Sequence, residues 1–251
     1  MIKSGLVSVT FRQLSPEEIV ELVAKAGLDG IEWGGDIHVP HGDTKRAGKV
    51  RKMTNDAGLN VAAYGSYYKV GHEEDSVPFE SVVDTAVELG APTIRVWAGS
   101  KGSADADDQY RSLIVSESQR IADLAAKAKI TVSYEFHERT LTDTRESAVK
   151  LLEDVANENI RTYWQPPSKW EPDQCAEGLQ AVLPWLTNVH AYYCDRATEK
   201  SLPLAEGKKV WKRYLPIIAR TGREHYVMLE FVRDNCPEVF LADAATLKSW
   251  L

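Results

Sequence analysis

Short apolar, β-rich runs alternate with amphipathic stretches from one end of the chain to the other. Strand-like runs begin near Gly5, Gly30, Asn60, Thr93, Ile130, Ile160, Asn188 and His225. Their separation is about that of a strand-plus-helix unit. The intervening stretches carry helix signals. Ser15-Pro16-Glu17-Glu18 reads as a capping box with proline in the first turn. Ile19, Leu22, Val23 and Ala26 then recur on one helical face, and Gly27 marks the stop. Asp107 and Asp108 open a long helix running to about Lys129, and Asp143 is expected to cap a helix burying Ala148, Leu151, Leu152 and Val155. Glu206-Gly207 introduces a helix with Val210, Trp211, Tyr214 and Leu215, and Asp234 precedes the last one. No Pro/Gly/Ser linker interrupts the alternation, so residues 1–251 are expected to form one domain. Eight strands with helices between them predict an α/β fold, a single (β/α)8 TIM barrel rather than an open doubly wound sheet.

Four of these runs end on polar residues suited to chemistry: Thr131-Val-Ser-Tyr-Glu135, Ile160-Arg-Thr-Tyr-Trp-Gln165, Asn188-Val-His190 and Tyr226-Val-Met-Leu-Glu230. Parallel barrels place their chemistry at the C-terminal ends of strands. Two carboxylates, an imidazole and an amide oxygen from Glu135, Gln165, His190 and Glu230 suit one divalent cation such as Mn²⁺, Mg²⁺, Co²⁺ or Zn²⁺. The bland alternatives are salt bridges from the glutamates to Arg95, Arg161 or Lys101, a satisfied core histidine, and an orienting amide. His137 shares the strand phase of Glu135, which fits a general acid/base or a partner for a metal-bound carboxylate. His38 follows the glycine pair Gly34-Gly35 and is a candidate substrate contact, while His72 sits in an acidic loop and reads as solvated. Arg95 and Trp97 share one strand face and, with Lys101, could hold an anionic or carbonyl group of a substrate.

The chain has 251 residues and a formal net charge of −7, which argues against nucleic acid or an anionic membrane as partner. Three cysteines, without metal-type spacing, read as free thiols. With neither a signal-peptide pattern nor a long apolar run, a soluble, cytoplasmic protein is expected. Association into a homo-oligomer stays open. No Gly-x-Ser-x-Gly, GxGxxG or P-loop spacing supports a serine hydrolase, a dinucleotide enzyme or an NTPase.

At its four strand-end residues the chain resembles the xylose isomerase-like TIM barrels, a superfamily of sugar isomerases and epimerases, inosose and 3-dehydroshikimate dehydratases, and endonuclease IV. The resemblance spans essentially the whole chain. Its pattern is glutamate, aspartate, histidine and glutamate on the fifth to eighth strands, and Gln165 stands here in place of the aspartate. Several strings are similar to bacterial 3-dehydroshikimate dehydratases: Val9-Thr-Phe-Arg12, Gly30-Ile-Glu-Trp33, Ile94-Arg-Val-Trp-Ala-Gly99, Lys101-Gly-Ser-Ala-Asp105, Glu135-Phe-His137 and Thr140-Leu-Thr-Asp-Thr144. Pro203-Leu-Ala-Glu-Gly207 looks like a family loop, which implies a substrate role for Glu206. Ser168 occupies a position where the dehydratase resemblance implies a second histidine. The resemblance implies a divalent-metal-dependent sugar or sugar phosphate isomerase/epimerase. It would act on a small polyhydroxylated carbonyl compound by proton transfer next to the carbonyl, with Glu135 and Glu230 as the proton carriers. The alternatives are a 3-dehydroshikimate- or inosose-type dehydratase using His137 as acid/base, and a non-catalytic carbohydrate-binding barrel. The three-zinc chemistry of endonuclease IV needs many more ligands than six histidines and this acidic balance provide.

Overall fold

Eight parallel strands close into a barrel in which each pairs with its sequence neighbour and β1 meets β8. The computed structural model describes residues 1–72 and 77–251, and the acidic stretch after His72 lies outside them. The strands are β1 (Ile2–Val7), β2 (Gly30–Gly34), β3 (Asn60–Lys69), β4 (Thr93–Trp97), β5 (Thr131–Tyr134), β6 (Ile160–Trp164), β7 (Leu186–Ala191) and β8 (His225–Leu229). The outer helices are α1 (Pro16–Ala26), α2 (Thr44–Asp56), α3 (Phe79–Leu89), α4 (Asp108–Lys127), α5 (Arg145–Val155), α6 (Pro172–Val182), α7 (Lys208–Ala219) and α8 (Pro237–Lys248). This is the expected (β/α)8 barrel. Among the described residues no helix is long and apolar enough to cross a membrane.

Local sequence explains most boundaries. Ser15 caps α1 in a full capping box with Glu18, and Gly27 closes the helix at φ 65°. Asp107 caps α4 by accepting from Tyr110 N. Asp143, expected to cap α5, does not. Thr144 takes that role by accepting from Ser147 N, while Asp143 Oδ2 accepts from Ser103 N in the neighbouring loop. The one-residue offset follows from geometry, because only the residue just outside the first turn can reach the N3 amide.

The main core lies between the barrel's outer surface and the helices, where Ile94, Val96, Val132 and Leu151 are fully buried. Inside the barrel the strands alternate small and large side chains so that the layers interdigitate. Gly65 is one of the small positions. A Cβ there would come within 2.7 Å of Arg95 Nη2 and 2.8 Å of Glu32 Oε1. The missing side chain therefore makes room for an ion pair within the barrel. Below it, Thr93 and Ser133 share a 2.9 Å hydrogen bond, and Asn188 donates to the Tyr163 hydroxyl at 3.0 Å.

Candidate active site

The C-terminal rim gathers the polar strand ends. Glu135 follows β5 directly, and its amide still donates to Val96 O at 2.9 Å, keeping the side chain in strand phase. Glu230 follows β8 in the same way, donating to Ala191 O at 3.1 Å. Period-two alternation then points Glu135, His190 and Glu230 into the barrel, where all three are buried. One ligand atom from each lies within 4.8 Å of the others. His190 Nδ1 is 3.3 Å from Glu230 Oε2 and 3.5 Å from Glu135 Oε1. Neither contact is directed as a hydrogen bond, so the nitrogen has no hydrogen-bond partner among the described residues. Gln165 extends past β6, and its Nε2 donates to Phe136 O at 3.0 Å. That anchor leaves Gln165 Oε1 as a second buried acceptor without a partner among the described residues.

These orphaned atoms fit a divalent cation. Burial opposes a charge on His190, yet the carboxylates of Glu230, Glu32 and Glu135 outweigh it and push the imidazole pKa well upward. The cluster therefore favours positive charge even at a fully buried ring. A dication between Glu135, His190 and Glu230 would meet the same demand while pairing the Nδ1 lone pair. Gln165 Oε1, buried and without a hydrogen-bond partner among the described residues, is available as a neutral donor from the next strand.

A second ring of charge sits beneath. Arg95 is level with Ser133 in the β4–β5 register, one layer below Glu135. Its Nε donates to Glu32 Oε1 at 2.7 Å, and its Nη1 pairs with Glu135 Oε2. Trp97 Nε1 donates to the same Glu135 oxygen at 2.5 Å. Burial would raise the pKa values of both glutamates, but Arg95 and His190 hold them below the usual carboxylate range. Glu32 Oε2 lies 3.4 Å from His190 Nε2. A proton kept at Nε2 directs the Nδ1 lone pair toward Glu135 and Glu230. Glu32 is a buried member of this charge cluster that sequence reasoning missed. Its signal was an acid at an inward position of the fully buried strand Gly-Ile-Glu-Trp-Gly.

In front of the cluster a cavity of about 310 Å³ is lined by Glu135, Gln165 and Glu230 at its floor and by His137, Trp170 and Tyr192 on its walls. His137 is in the loop beyond β5, half-buried, with its ring 5.2 Å from that of Trp97. Its Nδ1 is 2.6 Å from Glu138 O. A carbonyl can only accept, so Nδ1 carries a hydrogen in this contact.

Other expected contacts lie elsewhere. Arg95 is 1% exposed and committed to two carboxylates, so it does not line the cavity. Trp97 spends its indole donor on Glu135 and packs edge-on against Tyr67. His38 is buried behind the barrel wall, bonded to Ser8 Oγ at 2.9 Å and Leu14 O at 3.3 Å. The preceding glycines allow that close packing, since a Cβ on Gly34 would meet Val9 at 2.4 Å. Lys101 is exposed, with its ammonium over the Tyr110 ring. Glu206 is exposed on a short 3₁₀ turn, Leu204–Gly207, and does not line the cavity.

The sequence profile of the family described as xylose isomerase-like TIM barrel matches residues 20–250. A 3-dehydroshikimate dehydratase from Bacillus anthracis is 24% identical, over 98% of this chain and 96% of that protein. Among solved structures, the probable 3-DHS dehydratase AsbF, involved in petrobactin synthesis in Bacillus anthracis, superposes with a TM-score of 0.83 at 23% identity, covering 98% of each chain. D-psicose 3-epimerase from Clostridium cellulolyticum H10, solved with D-tagatose, gives 0.76 at 16% identity, over 99% of this chain and 98% of that one.

Proposed function

Because the chain belongs to the xylose isomerase-like TIM-barrel family, we propose that it is a divalent-metal-dependent lyase removing water from a small polyhydroxylated ketone. One observation carries the choice of elimination over epimerisation. Passing a proton between two glutamates needs both carboxylates free to carry it. Glu135 has one oxygen engaged by Arg95 and Trp97 and its pKa held down, which makes it a poor proton carrier. His137, by contrast, lines the cavity with its Nδ1 hydrogen committed to Glu138 O, which leaves Nε2 as the ring nitrogen for proton transfer.

Glu135, His190 and Glu230, with Gln165 as neutral fourth donor, would hold the ion. When bound, it would supply Lewis-acid polarisation of the substrate carbonyl. Nε2 of His137 then removes the proton from the carbon next to that carbonyl. The C–H electron pair forms the new C=C bond as the β C–O bond breaks. The proton on His137 passes to the departing hydroxyl, which leaves as water. Trp97 and the Glu138 carbonyl keep the ring in place through this cycle. The dehydratase resemblance of the strings around Glu135 and Thr140 supports the same reading.

The test is to load the protein with Mn²⁺ and offer 3-dehydroshikimate, a keto-inositol and ketohexoses in D₂O. Proton NMR and near-ultraviolet absorbance report the products. The lyase reading expects a conjugated product that has lost water. His137→Asn should lower kcat by about 10²-fold or more with metal content unchanged. Interconversion of epimers without loss of water would sink the lyase reading and favour the epimerase one.

A further inference from the structure

The walls of the cavity are acidic. Beyond the floor glutamates, Glu138, Asp143 and Glu199 line its outer part, and Lys169 is the one lysine or arginine among its lining residues. That lysine is already engaged, its Nζ being 3.1 Å from Glu199 Oε1. Ser168, at the position where the family resemblance implies a histidine, donates to the other Glu199 oxygen at 2.9 Å. Arg196, on the same loop as Glu199, is paired with Glu171, and Arg95 is sealed beneath the floor. The Tyr192 hydroxyl is spent on Pro166 O at 2.6 Å. Apart from the proposed metal on the floor, no unengaged lysine or arginine among the described lining residues meets an anionic group. Acceptors, in contrast, are in surplus. Asp143 Oδ1 is buried without a hydrogen-bond partner among the described residues, although its Oδ2 accepts from Ser103 N.

We propose that the substrate is uncharged, a polyol ketone whose hydroxyls donate to Asp143 and its neighbours. On this view Glu138 and Asp143, with Glu199 offset in part by Lys169, repel carboxylate- or phosphate-bearing analogues. This rests on the lyase reading only for the word ketone; the charge selection stands on the wall residues. Two facts make the site a reader of hydroxyls. A hydroxyl can donate to a carboxylate oxygen while a carboxylate cannot. Like charges at close range in a partly enclosed cavity are strongly disfavoured. The walls also hold Phe136 edge-on to Trp170 at 5.8 Å, an apolar surface suited to the C–H face of a ring.

The probes are myo-inositol, a neutral ring with six hydroxyls, and shikimate, a cyclohexene carboxylate with three, both unreactive and measured by calorimetry on Mn²⁺-loaded protein. Their reactive counterparts, a keto-inositol and 3-dehydroshikimate, are then compared by kcat/KM. The neutral member of each pair should win by at least roughly tenfold. Asp143→Asn and Glu199→Gln should each shrink that ratio by about threefold or more, and added salt should shrink it in the wild type. Preference for the carboxylated compound, or a ratio that neither variant moves, would overturn the proposal. So would failure of both unreactive polyols to bind at millimolar concentration. Preferred turnover of 3-dehydroshikimate to a dehydrated product would overturn it while leaving the lyase reading in place. Binding of the neutral compounds without loss of water would do the reverse.

Discussion

Replacing Arg95 by Met removes one charge from the most tightly enclosed part of the barrel while keeping most of the side chain's volume. Arg95 is 1% exposed and neutralises Glu32, 0% exposed, and Glu135, 3% exposed. A pair about 4 Å apart at an effective dielectric of 20 interacts by roughly 4 kcal/mol. Breaking a buried pair by deleting one partner costs about 3–5 kcal/mol, because the surviving charge stays buried. Two pairs break here, but the carboxylates can take up a proton once Arg95 is gone, so the same 3–5 kcal/mol is expected rather than twice that. For a chain of this size the loss corresponds to a fall in Tm of roughly 6–20 °C. The measurement is made on chelated protein, so that ion binding to the native state does not mask the loss. Adding Glu32→Gln should recover part of it, since the double variant buries one fewer unpaired carboxylate. The two changes should therefore be non-additive by about 1–3 kcal/mol. A loss below about 1 kcal/mol for Arg95→Met, or strict additivity, would refute the charge arrangement described here.

Three further outcomes are expected. Gln165→Glu adds a negative charge to the metal cradle, so it should tighten Mn²⁺ binding by about tenfold while lowering the Tm of chelated protein; unchanged affinity by titration would place Gln165 outside the coordinating set. Burial pushes the Cys175 thiol up to about 11, leaving about one thiolate in a thousand at pH 8. Native protein should therefore show two thiols, Cys194 and Cys236, reacting with a disulfide reagent well before the third, and three equal rates would contradict the burial. Burial also depresses the His38 pKa, so the unfolded chain binds a proton there that the folded chain resists. The stabilisation is present above the unfolded value of about 6.5 and is lost as pH falls below it. His38→Gln should flatten denaturation midpoints plotted between pH 7.5 and 5.5, and parallel curves for both proteins would show that His38 accepts its proton freely in the fold.

How much of this was legible beforehand depends on which physical rule governed each residue. Strand phase is a local property, and it correctly turned Glu135, His190 and Glu230 inward once β5, β7 and β8 existed. Their convergence followed from parallel neighbours in a closed barrel, which alternation of elements already implied. Depth is a different matter. Arg95 and Trp97 share a face, yet Arg95 is one layer lower, and a step of two residues along a strand moves a side chain about 6.6 Å. That step separates a group facing substrate from one holding the site together, and it depends on the register between strands, which single runs do not reveal. Loops obey neither rule. Lys101, Glu206 and His38 were placed by composition or resemblance, while their directions were decided by packing on Tyr110, by a 3₁₀ turn and by hydrogen bonds to Ser8 and Leu14. For the same reason neither Glu199 nor Asp143, the latter read only as a helix cap and within a family-like string, was marked for the cavity, which both reach through loop paths.

Glutamine at position 165 makes sense once the buried charges are counted together. Glu32, Glu135 and Glu230 contribute three negative charges, and Arg95 contributes one positive charge. A bound dication brings this set to zero. With an aspartate at 165 the same set would carry one net negative charge beneath a cavity whose walls are already acidic. The Gln165 amide avoids that charge, and with its nitrogen on Phe136 O its oxygen is left without a partner among the described residues. Without the ion the set is two charges negative, and the structure compensates in the way chemistry allows, by raising the proton affinity of His190. Proton and metal thus compete for Nδ1, so metal uptake should release a proton and weaken as pH falls. A neutral, filled cluster also spares an uncharged substrate from sitting over a net charge, whereas an anionic one would still face Glu138, Asp143 and Glu199. The amide at 165 and the acidic walls are therefore two parts of one electrostatic arrangement.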